Sequence, residues 1–285
     1  MGAADGSVFS RHQARIGDHT IPYLRGGRGE PLLYLHGLGG AGKWESYHMA
    51  FGNDMLTYAP QLPGWQDFTP PAGIDGVAGY AALVLRFLDA IEVEQLTLVG
   101  HSIGGWIAQY LAADHPERVT RLVLVDSLGV EAPDAPAVDL DSLDEEAFAK
   151  AVFARLGLIA TAQPYGFGAE FTNVRNGPEF ERQWKGRELV MKLVDGRYAD
   201  PELTVRLPKI PAETLLIWGE ADGLSRLAHA RQLQASIPHA RLAVIQGAGH
   251  LPMVDKRETF HRLCHDFLVG TPEDLPGVLT PALER

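Results

Sequence analysis

From Pro31 onward, short apolar runs alternate with stretches of helical periodicity. They are Pro31–Leu35, Met55–Ala59, Tyr80–Ala90 as helix, Leu96–Val99 as strand, Ile103–His115 as helix and Leu122–Val125 as strand. Alternation of this kind predicts a largely parallel sheet covered by helices on both faces. The rhythm returns with Thr214–Trp218, a helix near Arg226–Ser236, the strand Leu242–Ile245 and a final helix near Asp255–Leu268. Ahead of it, Arg11–Ile16, the turn signal Gly17-Asp18 and Thr20–Leu24 read as a hairpin.

Between the two blocks the rhythm breaks. Val130–Pro208 has no clear buried strand and instead offers acidic and aromatic helical pieces, Ser142–Gly157 and Pro178–Val194. The 285 residues therefore divide into a core of 1–129 and 209–269, an inserted helical cap of 130–208 and a proline-bearing tail of 270–285. Tyr165, Phe167, Phe171, Phe180 and Trp184 of the insert are candidates to line an apolar pocket, although aromatic residues in a cap more often dock it on the core. Trp44 and Trp106 flank the motifs described below, and packing is the expected role for both.

Charge and cysteine usage exclude several classes. Lys and Arg number 25 against 36 Asp and Glu, a net charge of -11 that repels a phosphate backbone, so nucleic acid is not an expected partner. The lone Cys264 forms no internal disulfide or thiolate metal site, and its apolar-periodic setting predicts burial. No stretch has the length of a bilayer span, and the early charges Asp5, Arg11, Arg15, Asp18 and Arg25 argue against a secretory leader. A cytoplasmic protein acting on a small molecule is the default expectation, without a membrane partner and with a homodimer left open.

The chemistry concentrates at loops that follow apolar runs. Gly100-His101-Ser102-Ile103-Gly104-Gly105 joins the strand Leu96–Val99 directly to the next helix. A strand-to-helix turn that sharp strains the serine backbone and exposes its hydroxyl, and side chains in place of the nearby glycines would clash with strand and helix. A hydroxyl needs a base to become a nucleophile, and the base needs an acid to fix its tautomer. Asp222 follows Leu215–Trp218 and His250 follows Leu242–Ile245, each on a loop past the end of a predicted strand. Asp126, at the end of Leu122–Val125, is the rival for the acid, and the later strand is the more usual source of it. His36-Gly37-Leu38-Gly39-Gly40 ends the strand Pro31–Leu35, and its flexible turn would let the Leu38 amide join that of Ile103 as an oxyanion hole.

The same segment, Gly37-Leu38-Gly39-Gly40-Ala41-Gly42, literally matches a dinucleotide-binding pattern. That reading needs an acid at the end of the next strand, where the chain has Tyr58-Ala59-Pro60-Gln61 instead. No zinc or calcium ligand spacing is present, so neither metal nor cofactor is expected.

From about Ser10 to Leu268 the sequence resembles the cap-bearing α/β-hydrolases. The likeness is carried by the two glycine motifs, Gln61-Leu62-Pro63-Gly64, Leu124-Val125-Asp126, Trp218-Gly219-Glu220-Ala221-Asp222 and Gly249-His250-Leu251-Pro252-Met253-Val254. The resemblance implies an α/β fold with a mostly parallel eight-stranded sheet, flanking helices and an inserted helical cap. It also implies cofactor-free catalysis by Ser102, His250 and Asp222 through an acyl-enzyme. A serine nucleophile counts against the dehalogenases and epoxide hydrolases of the family. His101 before the serine is similar to many esterases, whereas carbon–carbon bond hydrolases more often carry Gly-Asn-Ser. An ester or lactone of a small, mostly apolar molecule is thus the first expectation. Hydrolysis of a carbon–carbon bond in a dicarbonyl compound, lyase chemistry with the same residues, or a slow-turnover ligand receptor are the alternatives. Which residues bind substrate is not legible.

Overall fold

A computed structural model describes residues 9–17, 19–38, 42–65, 73–133, 135–136, 138–139, 142–152, 154, 189, 192–194 and 198–270. The pocket candidates Tyr165, Phe167, Phe171, Phe180 and Trp184, most of Pro178–Val194, Gly39, Gly40 and all but the first residue of the tail lie outside them.

Eight strands form one sheet: β1 Phe9–Ile16, β2 His19–Gly26, β3 Pro31–Leu35, β4 Leu56–Pro60, β5 Leu96–His101, β6 Val119–Val125, β7 Glu213–Gly219 and β8 Ala240–Ile245. Their order is β1-β2-β4-β3-β5-β6-β7-β8. The pairs β1/β2 and β2/β4 are antiparallel, and every other neighbouring pair is parallel. Burial follows that division. All six residues of β5 are buried, as a strand covered on both faces requires, whereas β1 at the edge mixes buried with exposed positions.

The α-helices bounded among the described residues are α1 Ser46–Gly52, α2 Gly76–Ala90, α3 Ile103–Asp114, α4 Glu145–Val152, α5 Pro201–Thr204, α6 Leu227–Ser236, α7 Pro252–Asp255 and α8 Arg257–Val269. Helix α2 packs on α3, α1 packs on α8, and α6 lies against β7 and β8. All eleven interior residues of α3 from Ile103 to Ala113 are buried, so this helix is enclosed on every side rather than amphipathic. Cys264 is buried in α8.

Gly129 lies beside residues 198–200. Gly129 donates to the Tyr198 carbonyl at 3.1 Å, and Asp200 donates to the Gly129 carbonyl at 3.0 Å. Residues 198–209 then run along α3, with Asp200 capping α5 through the Glu202 amide at 2.8 Å and the Tyr110 hydroxyl donating to Asp200 Oδ2.

The order of strands sets the place of the site. Successive connections from β3 run to β4 on one side, while β5 lies on the other, so the loops leaving β3 and β5 diverge and open a crevice at the carboxyl ends of the strands. Leu38 and Ser102 stand at the two sides of that crevice.

Candidate active site

The turn after β5 is built by exclusion of side chains. Ser102 has φ +55 and ψ -120, a conformation that L residues rarely adopt. Its amide donates to the Val125 carbonyl at 3.0 Å, and its own carbonyl accepts from Gly105 at 3.0 Å and Leu128 at 3.2 Å. A Cβ on Gly100 would stand 2.6 Å from the Gly104 carbonyl oxygen, and one on Gly104 would stand 2.3 Å from that of Leu35. Both contacts are with backbone, which cannot swing away. The turn thus closes only with glycine at these positions.

Three loops converge on the serine. His250 Nε2 lies 2.9 Å from Ser102 Oγ, and His250 Nδ1 lies 2.9 Å from Asp222 Oδ2. Asp222 Oδ1 accepts from the amides of Leu224 at 2.8 Å and Ser225 at 3.0 Å. All three residues are buried, at 5–6% exposure, so their charges and dipoles act in a weakly screening medium. The structure therefore brings together the three side chains that the sequence selected. Asp126 is not in contact with the imidazole by hydrogen bond; its Oδ1 accepts from the Gly219 amide at 2.9 Å.

The loop after β3 supplies the other wall. The Leu62 amide donates to His36 Nε2 at 3.2 Å, so the proton of the neutral ring sits on Nδ1 and is donated to the Gly37 carbonyl at 2.7 Å. Burial holds this histidine neutral by lowering its pKa to about 4. Because the peptide is planar and trans, fixing the Gly37 carbonyl also aims the Leu38 N–H in the opposite direction. The Leu38 carbonyl is tied in turn to Trp65 Nε1 at 2.9 Å. Ile103 is the first residue of α3, so its amide is one of the four that have no intrahelical acceptor. A Cβ on Gly37 would meet His101 Nδ1 at 2.5 Å and Ser102 Cβ at 3.1 Å, which shows how closely this loop approaches the elbow.

Two further features carry little sequence signal. His101 Nε2 donates to the backbone carbonyl of His250 at 2.9 Å, and its ring lies 5.1 Å from that of His250. Burial first, then the neighbouring His250, lowers the His101 pKa to about 3 and keeps it a neutral donor. The C-terminal end of α4 reaches the same loops. The Val152 carbonyl accepts from the His250 amide at 2.7 Å and the Ala151 carbonyl from the Gly223 amide at 2.8 Å. These are two of the carbonyls that a helix end leaves unpaired. A Cβ on Gly223 would lie 2.6 Å from Ala151 Cα, so glycine permits the approach. Trp44 stacks on Phe9 at 5.3 Å and His48 at 5.2 Å, and Trp106 is buried. Both pack, as expected.

Asp126, Asp222 and His250 offer ligand-type atoms within 4.8 Å of one another. The direct 2.9 Å contact of His250 with Asp222 is a hydrogen bond, so those two atoms share a proton. The set is arranged to hold and pass protons.

Residues 30–257 match the alpha/beta hydrolase fold family, and the chain belongs to it. It is a hydrolase of this fold. It is 32% identical over 266 residues to the 2-hydroxymuconate semialdehyde hydrolase of a Pseudomonas species, with 85% of this chain and 88% of that one covered. It is 28% identical over 265 residues to the 2-hydroxy-6-oxo-6-phenylhexa-2,4-dienoate hydrolase of Comamonas testosteroni, covering 89% of this chain and 92% of that one. The fold is similar to that of a membrane phospholipase A, with a TM-score of 0.72 and 27% identity, covering 92% of this chain and 86% of that one. Among the described residues of the present chain, no helix is long and apolar enough to cross a membrane.

Proposed function

We propose that this protein is a cofactor-independent serine hydrolase that cleaves a carboxylic ester or lactone of a small, mostly apolar substrate through an acyl-enzyme. The observation that carries the reading is the unbroken pair of 2.9 Å contacts from Ser102 Oγ to His250 and from His250 to Asp222. Asp222 holds the imidazole proton on Nδ1, which leaves the Nε2 lone pair facing the hydroxyl. As Oγ attacks the acyl carbon, Nε2 takes its proton. The amides of Leu38 and Ile103 receive the developing oxyanion, and a donor of that kind contributes about 2.7–4 kcal/mol to the transition state. The imidazolium then protonates the leaving oxygen, and the same histidine activates the water that releases the acid. The insert 130–208 is assigned the role of a cap, and of its described residues the end of α4 meets the loops of His250 and Asp222.

A second reading, hydrolysis of a carbon–carbon bond in a dicarbonyl compound, is favoured by the 32% identity to the semialdehyde hydrolase. His101 before the serine and the likeness to a phospholipase favour the ester. Turnover of chromogenic short-chain esters beside a panel of dicarbonyl substrates discriminates the two. Ser102→Ala is expected to lower turnover of the preferred substrate by about 10⁴-fold or more. Equal rates for wild type and Ser102→Ala would remove the nucleophile from this scheme. Rapid acylation followed by stalled release would identify a slow-turnover receptor instead.

A further inference from the structure

Asp126 follows β6 directly and has φ +43, a left-handed backbone that turns its side chain toward the end of β7. The residue is completely buried. Oδ1 accepts from the Gly219 amide at 2.9 Å, while Oδ2 is buried with no donor facing it. The neighbouring carboxylate is Asp222, and one oxygen of each lies within 4.8 Å of the other and of a His250 ring nitrogen. Two buried carboxylates at that separation do not both ionise, because each charge raises the cost of the other.

The hydrogen bonds decide which one keeps the proton. Asp222 takes three N–H donors, from Leu224, Ser225 and His250. Asp126 takes one, from Gly219. The better-solvated carboxylate is the ionised one, and the oxygen without a donor is where a proton belongs. We propose that Asp126 is a neutral carboxylic acid that directs its Oδ2 proton to Asp222, making it a positioning residue for the His250–Asp222 pair. Burial, the negative charge of Asp222 and the hydrogen bond to Asp222 all push the Asp126 carboxyl well above the usual carboxylate range; Asp255 adds to this and the Gly219 amide opposes it. A further donor on Asp222 spreads its negative charge and fixes the carboxylate that faces His250.

The role of Asp222 assumed here is that of the proposed mechanism, so the first measurement is independent of turnover. Difference infrared spectra of the whole protein at neutral pH are expected to contain the stretch of one protonated carboxyl group, present in wild type and Ser102→Ala and lost in Asp126→Asn. Absence of that band, or its survival in Asp126→Asn, would overturn the proposal. Its presence together with equal esterase rates for wild type and Ser102→Ala would instead remove the mechanism and leave the neutral acid standing.

The second measurement is the pH profile of kcat/KM on a chromogenic short-chain ester. An asparagine reproduces both interactions of a neutral acid, with its carbonyl toward Gly219 and its amide toward Asp222, so Asp126→Asn keeps the acid limb in place. Asp126→Leu has similar size and no donor, and moves the acid limb to higher pH because Asp222 becomes the stronger base toward His250. A shift to lower pH in Asp126→Asn would mean that a negative charge had been removed, and the assignment of a neutral acid would fall.

Discussion

The two ends of α3 differ in burial and in constraint: Ser102 and Ile103 are buried, and Asp114 is exposed. At its N-terminus Ser102 is held at φ +55 between glycines whose replacement collides with backbone, and it faces His250 across 2.9 Å. At its C-terminus Tyr110 donates to Asp200, and Asp114 pairs with Arg206 at 2.6 Å, an ordinary docking seam for residues 198–209. One end stores backbone strain where a hydroxyl must be presented, and the other end lies where packing and hydrogen bonds relax it. The same helix can therefore be altered to change chemistry at one end and stability at the other, with little crossing between them.

The largest effect that sharpens this contrast is at the N-terminal side. Asp222→Asn keeps size and burial but permits the wrong imidazole tautomer, so turnover is expected to fall by about 10⁴-fold with the thermal midpoint nearly unchanged. Steady-state kinetics beside calorimetry checks it; a small loss would reassign the acid to Asp126. Gly104→Ala is next. Its Cβ would meet the carbonyl oxygens of Leu35 at 2.3 Å and His36 at 2.6 Å, so the elbow and the Leu38 loop are forced apart. Overpacking of this kind costs about 1–3 kcal/mol, and here a loss of activity is also expected because the displaced parts carry the proposed oxyanion donors. Denaturant unfolding and kcat on the same variant test whether both fall together.

Much of this site was legible because the elements that carry it have strong local signatures. The run Leu96–Val99, the glycines around Ser102 and the buried helix after it allow one sharp turn and little else, and the observed elements, Leu96–His101 and Ile103–Asp114, differ from the reading by a residue or two. The mostly parallel sheet follows from the same alternation, while its eight strands are what the family resemblance implied. Helix α2 begins at Gly76 rather than near Tyr80, since Gly76 and Gly79 are poor helix formers and only the burial of Val77 recruits the first turn. Strand β6 begins at Val119, ahead of the apolar run, because Thr120 and Arg121 spend their polar groups on the carbonyls of Leu96 and Phe267. Helix α1 carried no usable signal: it has seven residues and is capped by Glu45, whose amide donates to the His48 ring at 2.9 Å. The contact of α4 with the His250 loop was invisible for a different reason, since it is made by backbone atoms of both partners. The state of Asp126 was likewise hidden, because it depends on how many donors its neighbour gathers from β7 onward.

At the C-terminal end of α3 the effects are smaller. Tyr110→Phe removes the donor to Asp200, whose other oxygen still caps α5 through Glu202. A hydrogen bond to a charged group contributes about 1.5–3 kcal/mol, and the partial exposure of this one argues for the lower end. Thermal unfolding is expected to shift down while kcat/KM on the preferred substrate stays within about twofold. A large kinetic loss would break the separation of the two ends.

The smallest effect belongs to Asp114. An acid at the last position of a helix faces the negative end of the dipole, and the Arg206 guanidinium offsets it with contacts at 2.6 and 2.9 Å while lying 5.6 Å over the Tyr110 ring. Both side chains are about a third exposed, so solvent screens the pair and salt weakens it further. Asp114→Asn removes the ion pair and the unfavourable dipole interaction together, and the two losses largely cancel. The midpoint of thermal unfolding should therefore move by about 2 °C or less at low salt, and the difference from wild type should vanish in 1 M salt, roughly where the screening length falls to 3 Å. A larger shift that survives high salt would mean that Arg206 is held by packing on Tyr110 rather than by charge. The seam would then be as tightly specified as the elbow, and the contrast between the ends of α3 would be one of chemistry alone.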